Sequence, residues 1–151
     1  MCRLLLDTNI LLDAILSNRE HSSEAQALID RCCGWGDLGM TCCLSLKDTY
    51  YIATRVHGKT WAREAVGRLM DLLPVAPVDA ETCARALGSD EPDFEDGIIR
   101  ACAELNDIDF IVTSDKDAFA HSKVRSVTAA QYLEIARAKD EARTTPWPSH
   151  P

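Results

Sequence analysis

Short unbroken apolar runs alternate along this chain with longer stretches in which apolar residues recur every three or four positions. The runs read as buried strands and the longer stretches as amphipathic helices. Residues 3–6 predict a strand. Residues 8–17 predict a helix with Ile10, Leu11, Ala14 and Ile15 inward. Residues 22–33 predict another, with Ala25, Leu28 and Ile29 inward, broken by Gly34-Trp35-Gly36. A strand is expected over 39–43. Ser45 then has the character of a helix N-cap, with Asp48 at the capping-box spacing, and that helix runs to about residue 56 before Gly58. Residues 59–73 carry Trp61, Ala65, Leu69 and Leu72 on one side and Arg63 and Arg68 on another, and Pro74 stops the helix. Residues 75–78 are extended, 80–88 form a short helix closed by Gly88, and 89–92 form a loop. Asp93 caps a helix to about residue 105, with Ile98, Ile99, Cys102 and Leu105 inward. Strands follow at 109–112 and 124–127, separated by a turn at 113–117. Thr128 caps a last helix to about residue 138.

Strands alternating with helices predict an α/β fold, a parallel sheet covered on both faces. The 151 residues suit one domain, assigned to 1–138, with 139–151 expected to be a disordered tail, since its end holds three prolines and no core face. Hydrophobic content of 46% is ordinary for a globular protein, and no apolar stretch is long enough to span a membrane. The N-terminal apolar run is too short for a signal-peptide core, because Asp7 interrupts it. Seven cysteines, an odd number with no Cys-x-x-Cys, read as reduced and mostly buried thiols in a cytoplasmic protein. A net charge of −8 argues against a protein that simply coats nucleic acid, though not against an enzyme that cuts it with the help of bound metal.

Four acids carry the candidate chemistry: Asp7, Asp48, Asp96 and Asp115. Asp7 and Asp115 each follow a predicted strand, so a parallel sheet brings both to its carboxyl edge, where ligands bind in open α/β folds. Asp48 and Asp96 each lie near the start of a helix, where loops leave the strands. Singly, each has a plain structural role in a cap or a turn. Together they form an oxygen-only donor set, which suits Mg²⁺ or Mn²⁺ better than zinc, and the four histidines form no zinc pair.

The segment Leu4-Leu5-Leu6-Asp7-Thr8-Asn9-Ile10-Leu11-Leu12-Asp13 resembles the opening motif of PIN-domain ribonucleases. Asp93-Phe94-Glu95-Asp96, followed by Ala101 and Ala103, resembles their third acidic motif. Ile111-Val112-Thr113-Ser114-Asp115-Lys116-Asp117-Ala118-Phe119 resembles the fourth. The resemblance extends from residue 3 to about residue 135 and is nearest to VapC-type toxins of bacterial toxin–antitoxin pairs. It implies a PIN-like three-layer α/β/α domain with a central parallel sheet of about four to five strands. It implies a metal-dependent endoribonuclease, a cognate antitoxin partner and a homodimer. Asp7, Asp96 and Asp115 would hold the metal, which would activate water for attack on an RNA phosphodiester. Thr8, Asn9, Thr113 and Ser114 would support them. Asp93 would assist Asp96, and Asp117 would compete with Asp115. Asp48 departs from the family pattern, which has Glu there and reaches one methylene further.

RNA at an acidic site needs cations nearby. Arg55, Lys59, Arg63 and Arg68 on the central helices and Lys116 in the turn are the candidates, with Tyr50, Tyr51 and Trp61 able to stack on bases. A plain solvated helix face with core aromatics accounts for most of the same residues. Other classes start similarly. A haloacid dehalogenase phosphatase needs a second Asp where Asn9 stands. A phospho-accepting receiver domain needs an acidic pair after its first strand and a lysine ending a late one. A PIN-like module that binds RNA or protein without cutting it would tolerate the Asp48 substitution.

Overall fold

The computed structural model describes residues 1–34 and 36–144. Five parallel strands form one sheet: β1 (Arg3–Leu6), β2 (Leu38–Cys42), β3 (Val75–Ala76), β4 (Phe110–Val112) and β5 (Arg125–Val127), in the order β3-β2-β1-β4-β5. The chain steps outward from β1 through β2 to β3, then returns to place β4 and β5 on the other side of β1. The switch point therefore lies between β1 and β4, where Leu6 is level with Val112.

The pleat sorts the side chains into the layers that cover the sheet. Leu4, Leu6 and Val112 face one way, against α1 (Thr8–Ile15), α2 (Ser22–Cys33) and α7 (Ala129–Thr144). Leu46 of α3 (Cys43–His57) and Leu69 of α4 (Lys59–Leu72) join that core. Leu5 and Ile111 face the other way, against Ile99, Cys102 and Ala103 of α6 (Phe94–Leu105), which itself packs on α5 (Ala80–Leu87). The arrangement is the three-layer α/β/α fold expected. Between α3 and α4 the chain turns at Gly58, whose φ of 87° suits glycine.

Two boundaries differ from expectation. Ser45 is not an N-cap: α3 starts at Cys43, directly after extended Cys42, because the strand passes straight into the helix. Ser45 is buried in the first turn beside the Cys42 thiol, and its carbonyl accepts from the Thr49 hydroxyl. Asp48 thus caps nothing. The last helix continues to Thr144, so residues 139–144 are helical, while 145–151 and the expectation of disorder placed on them lie outside the described residues. All seven cysteines are free; Cys2, Cys42 and Cys102 are buried, and Cys33 and Cys43 are exposed. Leu72, expected inward, is exposed.

An ionic knot braces the loops around α6. Arg100 reaches Asp90 at 2.6 Å, Glu91 at 3.4 Å, Glu104 at 3.1 Å and the His121 carbonyl at 3.1 Å. Glu91 and Glu104 are nearly buried, so Arg100→Ala would strand the Glu91 carboxylate and leave Glu104 with Arg85 and Ser122 alone. We expect a loss of about 3 kcal/mol, measured by urea denaturation.

Candidate active site

The strand ends and helix starts at the carboxyl edge open into a cleft of about 460 Å³, lined by Asp7, Thr8, Asn9, Leu12, Asp48, Tyr51, Ile52, Arg55, Glu95, Asp96 and Asp115. All four predicted acids are there. Asp7 follows β1 and caps α1: its Oδ1 accepts from the Thr8 N–H at 2.8 Å and its Oδ2 from the Thr113 hydroxyl at 2.9 Å. Burial raises its pKa above the ordinary value and outweighs those two donors, with Asp115 and Asp48 adding to the rise. Asn9 latches the two motifs together. Its Nδ2 donates to Thr113 Oγ1 at 3.3 Å, and its Oδ1 accepts from the Ser114 N–H at 3.0 Å. The 113–117 turn hangs from Asp115, whose Oδ1 accepts from the Asp117 and Ala118 N–H groups at 2.9 and 3.2 Å. Its Oδ2 takes no hydrogen bond from a described residue.

Asp96 lies in the first turn of α6, and its N–H donates to Asp93, the N-cap. The Asp96 carboxylate itself has no hydrogen-bond donor or ion-pair partner among the described residues. Burial, then Asp93, Asp7, Asp115 and Glu91, push its pKa up to about 6. Folding therefore takes up a proton between the ordinary 3.8 and about 6, so stability falls as pH rises through that window. The metal-free protein should melt higher at pH 5 than at pH 7.5. Asp96→Asn should stabilise it at neutral pH by about 1–2 kcal/mol. Added Mn²⁺ should then raise the melting temperature of the parent more than that of the variant, as differential scanning calorimetry would show. Equal metal shifts would count against a shared site.

Glu95 is a cleft residue that sequence inspection passed over. Its carboxyl is hydrogen-bonded to Asp48, and that bond, with burial and the nearby charge of Asp48, raises Glu95 to about 7. Burial works to raise Asp48 as well, but the Glu95 bond and Lys47, 2.9 Å away, bring it below the usual carboxylate range. The signal was its place beside Asp96 in the third motif, where a longer acid stands near a shortened one. Among the remaining candidates, Thr113 bonds Asp7, Ser114 serves through its backbone, Asp93 caps α6, and Asp117 donates its N–H to Asp115. Arg55 and Tyr51 line the cleft; Lys59, Arg63, Lys116 and Tyr50 do not. Trp61 and Arg68 line a separate groove between α4 and the α1–α2 pair.

Among the described residues, no three His, Cys, Asp or Glu side chains are arranged to hold a metal as they stand. Asp115 lies close enough to raise the pKa of both Asp7 and Asp96, a crowding of like charge that a bound cation would relieve. Their chemistry fits a hard divalent ion, with oxygen donors only, one free edge on Asp115 and an unpartnered Asp96.

Carboxylates gathered at the switch point of a parallel sheet define an α/β protein with an oxygen-rich site. The family model for the PIN domain matches residues 3–117, and the chain belongs to that family. Its fold is similar to that of the sarcin–ricin loop cleaving toxin VapC20 of Mycobacterium tuberculosis, with a TM-score of 0.68 and 21% identity over 83% of this chain and 98% of that one. It is also similar to a toxin–antitoxin complex from Klebsiella pneumoniae (TM-score 0.64, 21% identity, 83% and 97%). DNA-bound VapBC from Salmonella typhimurium is a third such structure (TM-score 0.65, 16% identity, 85% and 99%). At these identities the likeness is one of fold. No curated protein sequence matches. No helix of the described residues is long and apolar enough to cross a membrane.

Proposed function

We propose that this PIN-domain protein is a Mg²⁺- or Mn²⁺-dependent endoribonuclease and the toxin of a type II toxin–antitoxin pair. Its partners are RNA, a cognate antitoxin and a second copy of itself, in the cytoplasm. The observation that carries the enzymatic reading is Asp96, a half-buried carboxylate with no partner among the described residues, in one cleft with Asp7 and Asp115. Such a group is costly unless a cation completes it. The toxin reading is supported by the fold shared with toxins and toxin–antitoxin complexes.

Asp7, Asp96 and Asp115 would hold the ion, with Asp48 and Glu95 behind them. When bound, a divalent cation supplies Lewis-acid stabilisation of the phosphate and makes water a better nucleophile. Thr8 and Thr113 orient Asp7 through its two oxygens, so its remaining lone pairs point in fixed directions. Asn9 sets the distance between α1 and the Asp115 turn. Glu95, raised to about 7 beside Asp48, would share a proton with it below that pH and so limit the negative charge that the RNA backbone meets at the cleft wall. Arg55 and exposed Tyr51 flank the acids, where a phosphate and a base of single-stranded RNA would lie.

The test is cleavage of RNA with Mn²⁺ or Mg²⁺ by the parent, Asp7→Asn and Asp96→Asn. Loss of cleavage in both variants supports the assignment. Equal activity in all three sinks it. No cleavage by any, with no heat of Mn²⁺ binding in calorimetry, would leave a PIN-fold binding module.

A further inference from the structure

The acid cleft does not end at Asp115. On the other side of the 113–117 turn lies a recess of about 360 Å³, lined by Thr113, Asp115, Lys116, Ser126, Thr128 and Gln131 together with Val127. The two depressions meet at Asp115, which lines both. Their chemistry differs. The cleft gathers Asp7, Asp48, Glu95 and Asp96 beside Asp115, whereas the recess contains no other acid. It presents hydroxyls, one amide and one ammonium group.

Lys116 makes no ion pair with any described residue, and neither does Arg55 at the cleft. Two unpaired cations thus border an acidic cleft on a chain of net charge −8. A polyanion that must pass over carboxylates is held best where positive charge meets it on entry and exit. Gln131 adds direction. Its Oε1 accepts from the Thr128 N–H at 2.9 Å, and its own N–H donates to Thr128 Oγ1 at 3.1 Å, a reciprocal cap on α7. The cap requires the acceptor oxygen to turn back toward the helix. The Nε2 amide is therefore left without a partner among the described residues, on a residue that lines the recess.

We propose that this recess is the subsite for the nucleotide flanking the scissile phosphate on the β5 side, with Lys116 on its phosphate and the Gln131 Nε2 donating to an acceptor on its base or sugar. The proposal rests on the ribonuclease reading and names where the substrate strand leaves the acids.

Gln131→Glu isolates it. Glutamate keeps the Oε1 that caps α7 but replaces the outward Nε2 with a second carboxylate oxygen. The measurement is affinity for a short, mixed-sequence single-stranded RNA by fluorescence anisotropy, in metal-free buffer, with Asp96→Asn as the parent. We expect Gln131→Glu to weaken binding roughly fivefold, the size of one added charge repulsion near the surface, with the melting temperature unchanged. Lys116→Gln should lower the slope of log Kd against log salt by about 0.7, one phosphate contact on a single strand. Gln131→Glu binding at the level of its parent, or an unchanged slope for Lys116→Gln, overturns the subsite. Cleavage by the unsubstituted protein with Mn²⁺ reads the underlying function separately. A protein that cuts RNA but is indifferent to Gln131→Glu loses only the subsite. One that neither cuts nor binds RNA loses both.

Discussion

Asp96→Asn is expected to reduce RNA cleavage by roughly 10²–10³-fold, the scale for removing one charged group that stabilises a phosphoryl transition state. Asparagine has the same shape, and its N–H still donates to Asp93, because that bond is made by the backbone. The α6 cap therefore survives, and the loss isolates the carboxylate. Asp7→Asn should fall as far in activity, but it should also lose stability. Asp7 accepts from both Thr8 and Thr113, and an amide can satisfy only one of those donors with its oxygen. The two variants thus separate chemistry from folding: both inactive, with Asp96→Asn melting above the metal-free parent and Asp7→Asn below it. Single-turnover cleavage assays with thermal melts on the same samples decide it. Full activity in Asp96→Asn would remove that residue from the reaction.

Asp37→Ala is expected to cost about 3–5 kcal/mol, near the upper end for a single substitution, because it breaks a buried charge network. Asp37 is 4% exposed and collects three donors: the Cys2 N–H at 2.8 Å, Arg31 Nε at 2.6 Å and the Tyr132 hydroxyl at 2.6 Å. These tie the entry to β1, helix α2 and helix α7 to the start of β2. Arg31 continues to Asp140 at 2.7 Å. Removing Asp37 would leave the buried Tyr132 phenol and the Cys2 N–H without their acceptor and Arg31 with Asp140 alone. Melting should drop by roughly 10 °C for a domain of this size. The pH dependence has a definite sign. Burial works to raise Asp37, but Tyr132, Arg31 and the Cys2 N–H hold its carboxyl below the ordinary 3.8. Its contribution is therefore present above about pH 4 and is lost as pH falls below that value. The variant should show a shallower loss of stability between pH 4 and pH 2 than the parent, by urea midpoints across that range. A parallel loss in both would place the acid sensitivity elsewhere.

Much of the fold was legible because the local signals agreed. Leu4, Leu5 and Leu6 cannot all face one side of a strand, so an unbroken apolar run demanded helices on both faces, and both are present. Asp93 was readable as a cap because capping is decided within a few residues. The end of α7 was not. Lys139, Asp140 and Arg143 make no apolar stripe, and their turn is held by contacts from far along the chain: Arg31 on Asp140, and Lys139 against Phe110 and the Cys2 thiol. Ser45 misled because its neighbours fit a capping box, while the sheet carries the chain from β2 into α3 two residues earlier.

By itself, the sequence determined the alternation of strands and helices, and with it that Asp7 and Asp115 share an edge, since each follows a strand of a parallel sheet. Tertiary structure alone decided the partners. It set Glu95 beside Asp48, left Asp96 without a partner among the described residues, latched Asn9 across to Thr113 and Ser114, and turned the Gln131 amide oxygen back to Thr128. Periodicity records which face of an element is buried. It carries no record of which polar atoms meet across the sheet edge, because those meetings depend on strand order and on the angles at which separate elements pack.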